Sequence, residues 1–181
     1  MQSIVGISHC YLFILKIDFI LYLKGNIMGT VIDILIANKA KELLSECKEV
    51  KVVKNKGIIG DRYFYGLGSF SQRLKDKHDF HITLIEKEEI DSFNQLTGLN
   101  YSNAKFRRNL VTEGIKLNDL LGKKFEINGV LLFGMRLCEP CKMLADDIGK
   151  EFLVSMVHKA GLRAKVLESG DVKIGDTINY D

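Results

Sequence analysis

A chain of 181 residues that is 46% apolar and 27% charged has the composition of one folded domain with a sizeable core. Its net charge of +3, with no block of like charge, excludes a polyanion groove, so nucleic acid is not an expected partner. Four cysteines (Cys10, Cys47, Cys138 and Cys141) at no framework spacing exclude a disulfide scaffold, and a reduced, cytoplasmic setting is the expectation.

Residues 4–23 are almost continuously apolar and long enough to span a membrane. Lys16 and Asp18 lie inside the run, and each costs about 3 kcal/mol near a helix centre. A signal peptide fits poorly, because no basic leader precedes the run and no small-residue cleavage site follows it. Three readings stand for residues 1–27. They are an extended start outside the domain, with Met28 as the true first residue, or a membrane anchor, or an extra packed helix or strand. Only the anchor makes a membrane a partner. The domain is expected over residues 28–181.

From Met28 the pattern changes. Val31 to Ile36 is β-branched and apolar, as a buried strand requires. Asn38 to Glu46 is polar and suits a short helix or loop. Glu49 to Lys54 alternates charge with valine, which predicts a half-exposed strand. Gly57 to Arg62 and Gly66 to Ser71 are glycine-punctuated loops. His81 to Ile85 is a short apolar strand. Ile90, Phe93 and Leu96 at helical spacing predict a helix over Glu86 to Leu96 that stops at Gly98. Leu117 to Leu121 is a helical turn ended by Gly122.

Asn128-Gly129 between the apolar runs Lys124–Ile127 and Val130–Met135 is the strongest hairpin signal in the chain. Its second strand runs into Arg136-Leu137-Cys138-Glu139-Pro140-Cys141-Lys142, which holds the chain's only proline. Phe152, Leu153, Met156 and Val157 predict a helix over Lys150 to His158. Arg163 to Glu168, Val172 to Ile174 and Thr177 to Tyr180 complete the strands. Many short strands and only two convincing helices argue for a mainly β, α+β domain that closes on itself.

The cysteine loop is the most informative stretch. A thiolate is a nucleophile and a soft-metal ligand, and nearby cations such as Arg136 and Lys142 favour it over the thiol. Pro140 fixes one φ between the sulfurs and works against a regular helix there. Zinc needs two more ligands, and no second Cys-x-x-Cys or His pair supplies them. A thioredoxin-like dithiol needs a βαβ setting, which this chain lacks. Gly57 to Asp61 has neither P-loop nor dinucleotide spacing, so by pattern alone it is a plain turn. Arg107 and Arg108 suit an anion, although two solvated surface charges are the commoner use of such residues. His81 is expected as a satisfied core or edge histidine. Arg73 and His78 are expected at the surface, and His158 at a helix end.

Several stretches together resemble one family. In order they are Gly57-Ile58-Ile59-Gly60-Asp61-Arg62-Tyr63, Arg107-Arg108-Asn109-Leu110-Val111-Thr112-Glu113-Gly114, Leu120-Leu121-Gly122-Lys123, and the cysteine loop. Gly161-Leu162-Arg163-Ala164-Lys165-Val166-Leu167 and Ile174-Gly175-Asp176 follow. Their joint order resembles the MOSC domain, named for the C-terminal part of molybdenum-cofactor sulfurase, over residues 28–181. The resemblance implies a twisted closed β-barrel with a few short peripheral helices, in a stand-alone single-domain member.

It further implies a cysteine that ligates the molybdenum of a pterin cofactor or carries sulfur. Cys141, in the Pro-Cys-Lys step, matches that cysteine as catalytic residue and metal ligand, with Cys138 as its catalytic neighbour. Gly60, Asp61, Arg62, Arg108, Asn109 and Arg163 are the implied cofactor-binding residues. Two functions follow from the resemblance. One is a small molybdenum-dependent oxidoreductase that reduces N-hydroxylated substrates. The other is a sulfur carrier whose Cys141 persulfide is loaded by a pyridoxal-phosphate-dependent cysteine desulfurase, with Cys138 resolving it. No pyridoxal-phosphate site of its own is expected.

Overall fold

The computed structural model describes residues 29–74 and 79–180. The readings made for residues 1–27, for Cys10, for Met28 and for His78 lie outside the described residues. Among the described residues no helix is long and apolar enough to cross a membrane.

The strands are β1 (Gly29–Ile36), β2 (Ser45–Glu46), β3 (Glu49–Val53), β4 (Gly57–Ile58), β5 (Ile82–Glu86) and β6 (Leu110–Glu113). They continue with β7 (Lys124–Ile127), β8 (Val130–Leu137), β9 (Leu162–Val166), β10 (Gly170–Lys173) and β11 (Thr177–Asn179). The helices are α1 (Ser71–Leu74), α2 (Lys87–Thr97), α3 (Lys142–Ile148) and α4 (Phe152–Ser155).

The ring β1–β6–β5–β9–β8–β7–β11 returns to β1 through Gly29 opposite Ile178, and this closes the barrel. Closure removes the unpaired edges that an open sheet would expose. Only β5 and β6 pair in parallel within the ring. Register shifts at Ile32 in β1 and at Met135 in β8 insert one extra residue each, which bends the sheet. A smaller sheet, β10–β3–β4, stands beside the barrel.

The expected closed, mainly β fold is the one observed. Successive residues of a strand face opposite sides. Ile34, Leu84 and Leu110 accordingly fill the barrel interior. Leu35, Ile85 and Val111, their neighbours in sequence, pack outward under α2, α3 and α4. With both faces covered, every residue of β5 is buried, Thr83 and Glu86 included. The outer layer is rich in aromatics, with Phe93 edge-on to both Phe106 and Phe152.

Of the helix or loop expected over Asn38–Glu46, turns and the short β2 form. Two local readings change. The helix expected over Lys150–His158 shrinks to α4, because Met156 and His158 leave helical geometry, with His158 at φ 58°. A helix, α3, opens directly after the cysteine loop. Pro140 precedes its first turn, where a missing N–H and a fixed φ do no harm.

The hairpin forms as expected, with Asn128 at φ 47° and Gly129 at φ 82° in its turn. A Cβ at Gly129 would meet nothing within 4 Å. Gly129→Ala is therefore expected to cost only the backbone term, about 1 kcal/mol, measured as a shift in the denaturation midpoint.

Candidate functional site

The cysteine loop sits where β8 leaves the barrel. Cys138 donates its backbone N–H to the Gly161 carbonyl at 2.7 Å, which ties the loop to the start of β9. Its side chain is buried. Cys141 is the N-cap of α3, with φ −133° and ψ 153°, and its side chain makes no capping hydrogen bond. The two thiols thus differ in place, one in the packed interior and one partly exposed, and both are free. Glu139 between them receives the His158 backbone N–H at 3.2 Å and lies 2.7 Å from its Nδ1.

Cys141 lines a cavity of about 670 Å³ together with Arg62, Arg108 and Arg163. Four of the residues expected at the site therefore share one space. Lys41, Lys105 and Arg107 add further positive charge to its lining, against one acid among the described residues, Asp147. Tyr63 and Phe70 supply aromatic wall. The mouth includes exposed apolar side chains, Leu43 at 90% and Met143 at 40% exposure.

Asp61 and Asn109 are buried and do not line the cavity; their hydrogen bonds fix the residues that do. The Asp61 carboxylate accepts from Arg62 Nη1 at 2.9 Å, Asn109 Nδ2 at 3.2 Å and the Tyr63 N–H at 3.1 Å. The Asn109 side-chain carbonyl accepts from Thr83 Oγ1 at 2.8 Å, and its Nδ2 also donates to the Leu35 carbonyl at 3.2 Å. A buried carboxylate needs such complete compensation to remain ionised inside a protein. The network holds the Arg62 guanidinium at the cavity wall. Gly60, at φ 91°, makes the turn that delivers Asp61 and Arg62.

The remaining guanidiniums are held differently. Arg108 donates Nε to the Ala160 carbonyl at 2.8 Å and Nη1 to the Phe106 carbonyl at 3.1 Å, which leaves one nitrogen for a ligand. Arg107 donates Nη1 to the Glu42 carbonyl at 2.8 Å. Burial first, then the Arg62 guanidinium, hold Arg107 below the ordinary arginine pKa, while Asp147, Tyr63 and Asp61 act in the opposite sense. Arg163 stands over the Phe70 ring at 5.7 Å. Among the described residues its Nε and Nη1 are buried with no hydrogen-bond acceptor, which costs about 1–3 kcal/mol for each such donor.

The sequence neighbours of the thiols do not supply the site's charge. Arg136 pairs with the buried Asp79, and Lys142 pairs with Asp146 on the exposed face of α3. Neither lines the cavity. The cations that do are contributed by distant segments. His81 is buried and accepts the Val166 N–H at Nδ1, 3.2 Å away, as a core histidine would. Lys41, Lys105 and Phe70 escaped the sequence reading. The two lysines sit among other polar residues, while an aromatic inside the Gly/Ser-rich 66–71 loop was a usable signal for Phe70.

The fold has solved relatives. The YuaD protein from Bacillus subtilis superposes with a TM-score of 0.72 at 18% identity, covering 85% of this chain and 96% of that one. YiiM from Geobacillus stearothermophilus gives 0.63 at 16% identity over 84% of this chain and 75% of its own. YiiM from Escherichia coli gives 0.54 at 15% identity over 86% and 69%. No curated protein matches the sequence. The family model for the MOSC domain does match it, over residues 71–179, from α1 through the cysteine loop to the last strand. The chain belongs to the MOSC domain family.

Proposed function

We propose that this protein binds a molybdenum-bearing pterin cofactor in the cation-lined cavity, with the Cys141 thiolate as protein ligand to the metal. The observation that carries the reading is the convergence of Arg62, Arg108 and Arg163 on the cavity that Cys141 lines. A cofactor phosphate takes charge-assisted bonds from Arg163 and from the free nitrogen of Arg108. Soft thiolate suits a transition metal. Among the described residues no three His, Cys, Asp or Glu side chains cluster as a ligand set for a free ion. A metal at Cys141 must then bring its other ligands with it, as a pterin-bound metal does.

Bound there, the cofactor supplies two-electron oxygen-atom chemistry, and the reaction class we assign is reduction of an N–O bond in an N-hydroxylated substrate. The chain's own part is to bind, orient and desolvate. Arg62, braced by Asp61, contributes fixed positive charge without cost of reorganisation. Phe70 and Tyr63 form aromatic wall that limits water in the site.

The rival reading places a persulfide on the same sulfur. A single sulfane atom needs neither 670 Å³ nor a ring of guanidiniums, which favours the cofactor. Elemental analysis of protein made in a cofactor-competent host tests the choice, and about one molybdenum per chain is expected. Well-folded, metal-free protein that gains one sulfur on Cys141 from a desulfurase would replace this reading with the carrier. Arg163→Gln removes one charge-assisted partner worth about 1.5–3 kcal/mol, so cofactor affinity should fall about tenfold or more.

A further inference from the structure

Lys41 and Arg107 are cavity cations that the cofactor reading leaves unused. Both hold left-handed backbone, with φ of 68° and 58°. That region costs a residue with a side chain about 1–2 kcal/mol. Arg107 takes it as the C-cap of the 3-10 turn Asn103–Phe106, where a left-handed residue ends the turn and donates its N–H to the Ala104 carbonyl at 3.1 Å. Lys41 takes it in the turn before β2. These turns set both cations in the lining of one cavity.

The pair is also built as a unit. Arg107 Nη1 binds the Glu42 carbonyl, next to Lys41 in the chain. Arg62 Nη2 reaches the Arg107 carbonyl at 3.4 Å. Arg62 is ion-paired with Asp61, and Lys105 with Asp147. Among the described residues Lys41 and Arg107 have no such carboxylate partner. Desolvation and the neighbouring Arg62 disfavour the charged form of Arg107, and an anion beside it would relieve both costs. Arg108 is fixed by the Ala160 carbonyl, and Arg163 stands on β9. One cofactor phosphate held by those two arginines leaves Lys41 and Arg107 for a second anion.

Resting on the cofactor reading above, we infer that Lys41 and Arg107 form a second anion subsite, and that the substrate carries a carboxylate or phosphate which binds there. The substrate class is thus an anionic N-hydroxylated compound.

The test is an amide NMR titration of the full chain, made without cofactor, with inorganic phosphate. Two sets of shifts are expected, one around residues 160–163 and one around residues 41–44 and 107. Arg107→Gln and Lys41→Gln should each weaken the second set about tenfold and leave the first unchanged. Lys41 is exposed, so its variant keeps the test alive if Arg107→Gln fails to fold. A single site at residues 160–163, unmoved by both variants, overturns this inference and leaves the cofactor reading standing. Phosphate binding that ignores every substitution, an adventitious ion only, also overturns it. Cofactor released from loaded wild-type protein should carry one phosphate; a second phosphate would assign the Lys41–Arg107 pair to the cofactor and overturn the substrate assignment. Failure of the cofactor reading itself shows separately, as absence of molybdenum in the wild type.

Discussion

Cys141→Ser protein is expected to carry no molybdenum and to melt at or slightly above the temperature of cofactor-free wild type. The two halves of that result come from different properties of one position. Cys141 occupies the N-cap of α3, yet its sulfur caps nothing. Serine is among the best N-cap residues, and a hydroxyl there gains up to about 1 kcal/mol. The sulfur is half-buried against the edge of the outer core, so exchanging it for oxygen loses little packing. A chain selected only for stability would have serine here. A hydroxyl, however, is a hard and far weaker ligand than thiolate for a soft metal site.

Cys138→Ser should show the reverse. It places a hydroxyl in a buried apolar setting at about 1–3 kcal/mol, and molybdenum is retained. Thermal melting and metal content measured on both variants separate the roles. Equal molybdenum in wild type and Cys141→Ser would remove Cys141 as ligand.

The barrel was legible in the sequence because its signals are local. Asn128-Gly129, Gly98 and the short, mostly apolar β5 each specify their own conformation through turn chemistry or two-sided burial. The site was legible only in part. Cys141, Arg62, Arg108 and Arg163 were found through motif order, and they do share one cavity. The assembly of charge around them was not, because it is contributed across the fold. Lys41 arrives on a segment that read only as a polar helix or loop, and Lys105 on a 3-10 turn before β6. The flanking cations Arg136 and Lys142 were the natural suspects by proximity in sequence. They turn away into ion pairs with Asp79 and Asp146, since strand and helix geometry, not sequence distance, decides which side chains meet. The helix α3 was missed for a related reason. A proline forbids helix interior but permits helix entry, and composition alone does not say on which side of the boundary it falls.

The second large effect is expected at Gly161, which carries no functional atom of its side. Its φ is 104°, and a Cβ built there would lie 2.0 Å from the Leu84 carbonyl oxygen in β5. Alanine must therefore adopt a strained backbone, at about 1–3 kcal/mol, and push a strand of the closed barrel aside, at about 1–3 kcal/mol more. Gly161→Ala should lose about 4 kcal/mol in denaturant unfolding and about 10 °C in melting temperature. Gly129→Ala, strained but unobstructed, sets the scale for the backbone part alone.

The displacement reaches the site through its neighbours. The Gly161 carbonyl receives the Cys138 N–H, the adjacent Ala160 carbonyl receives Arg108 Nε, and Arg163 follows two residues on. One added methyl group thus shifts the cysteine loop and two of the cavity's arginines together. Molybdenum content of Gly161→Ala protein should fall even at temperatures well below its melting transition. Full metal content in a stably folded Gly161→Ala protein would show instead that the loop and the arginines hold their places without this contact.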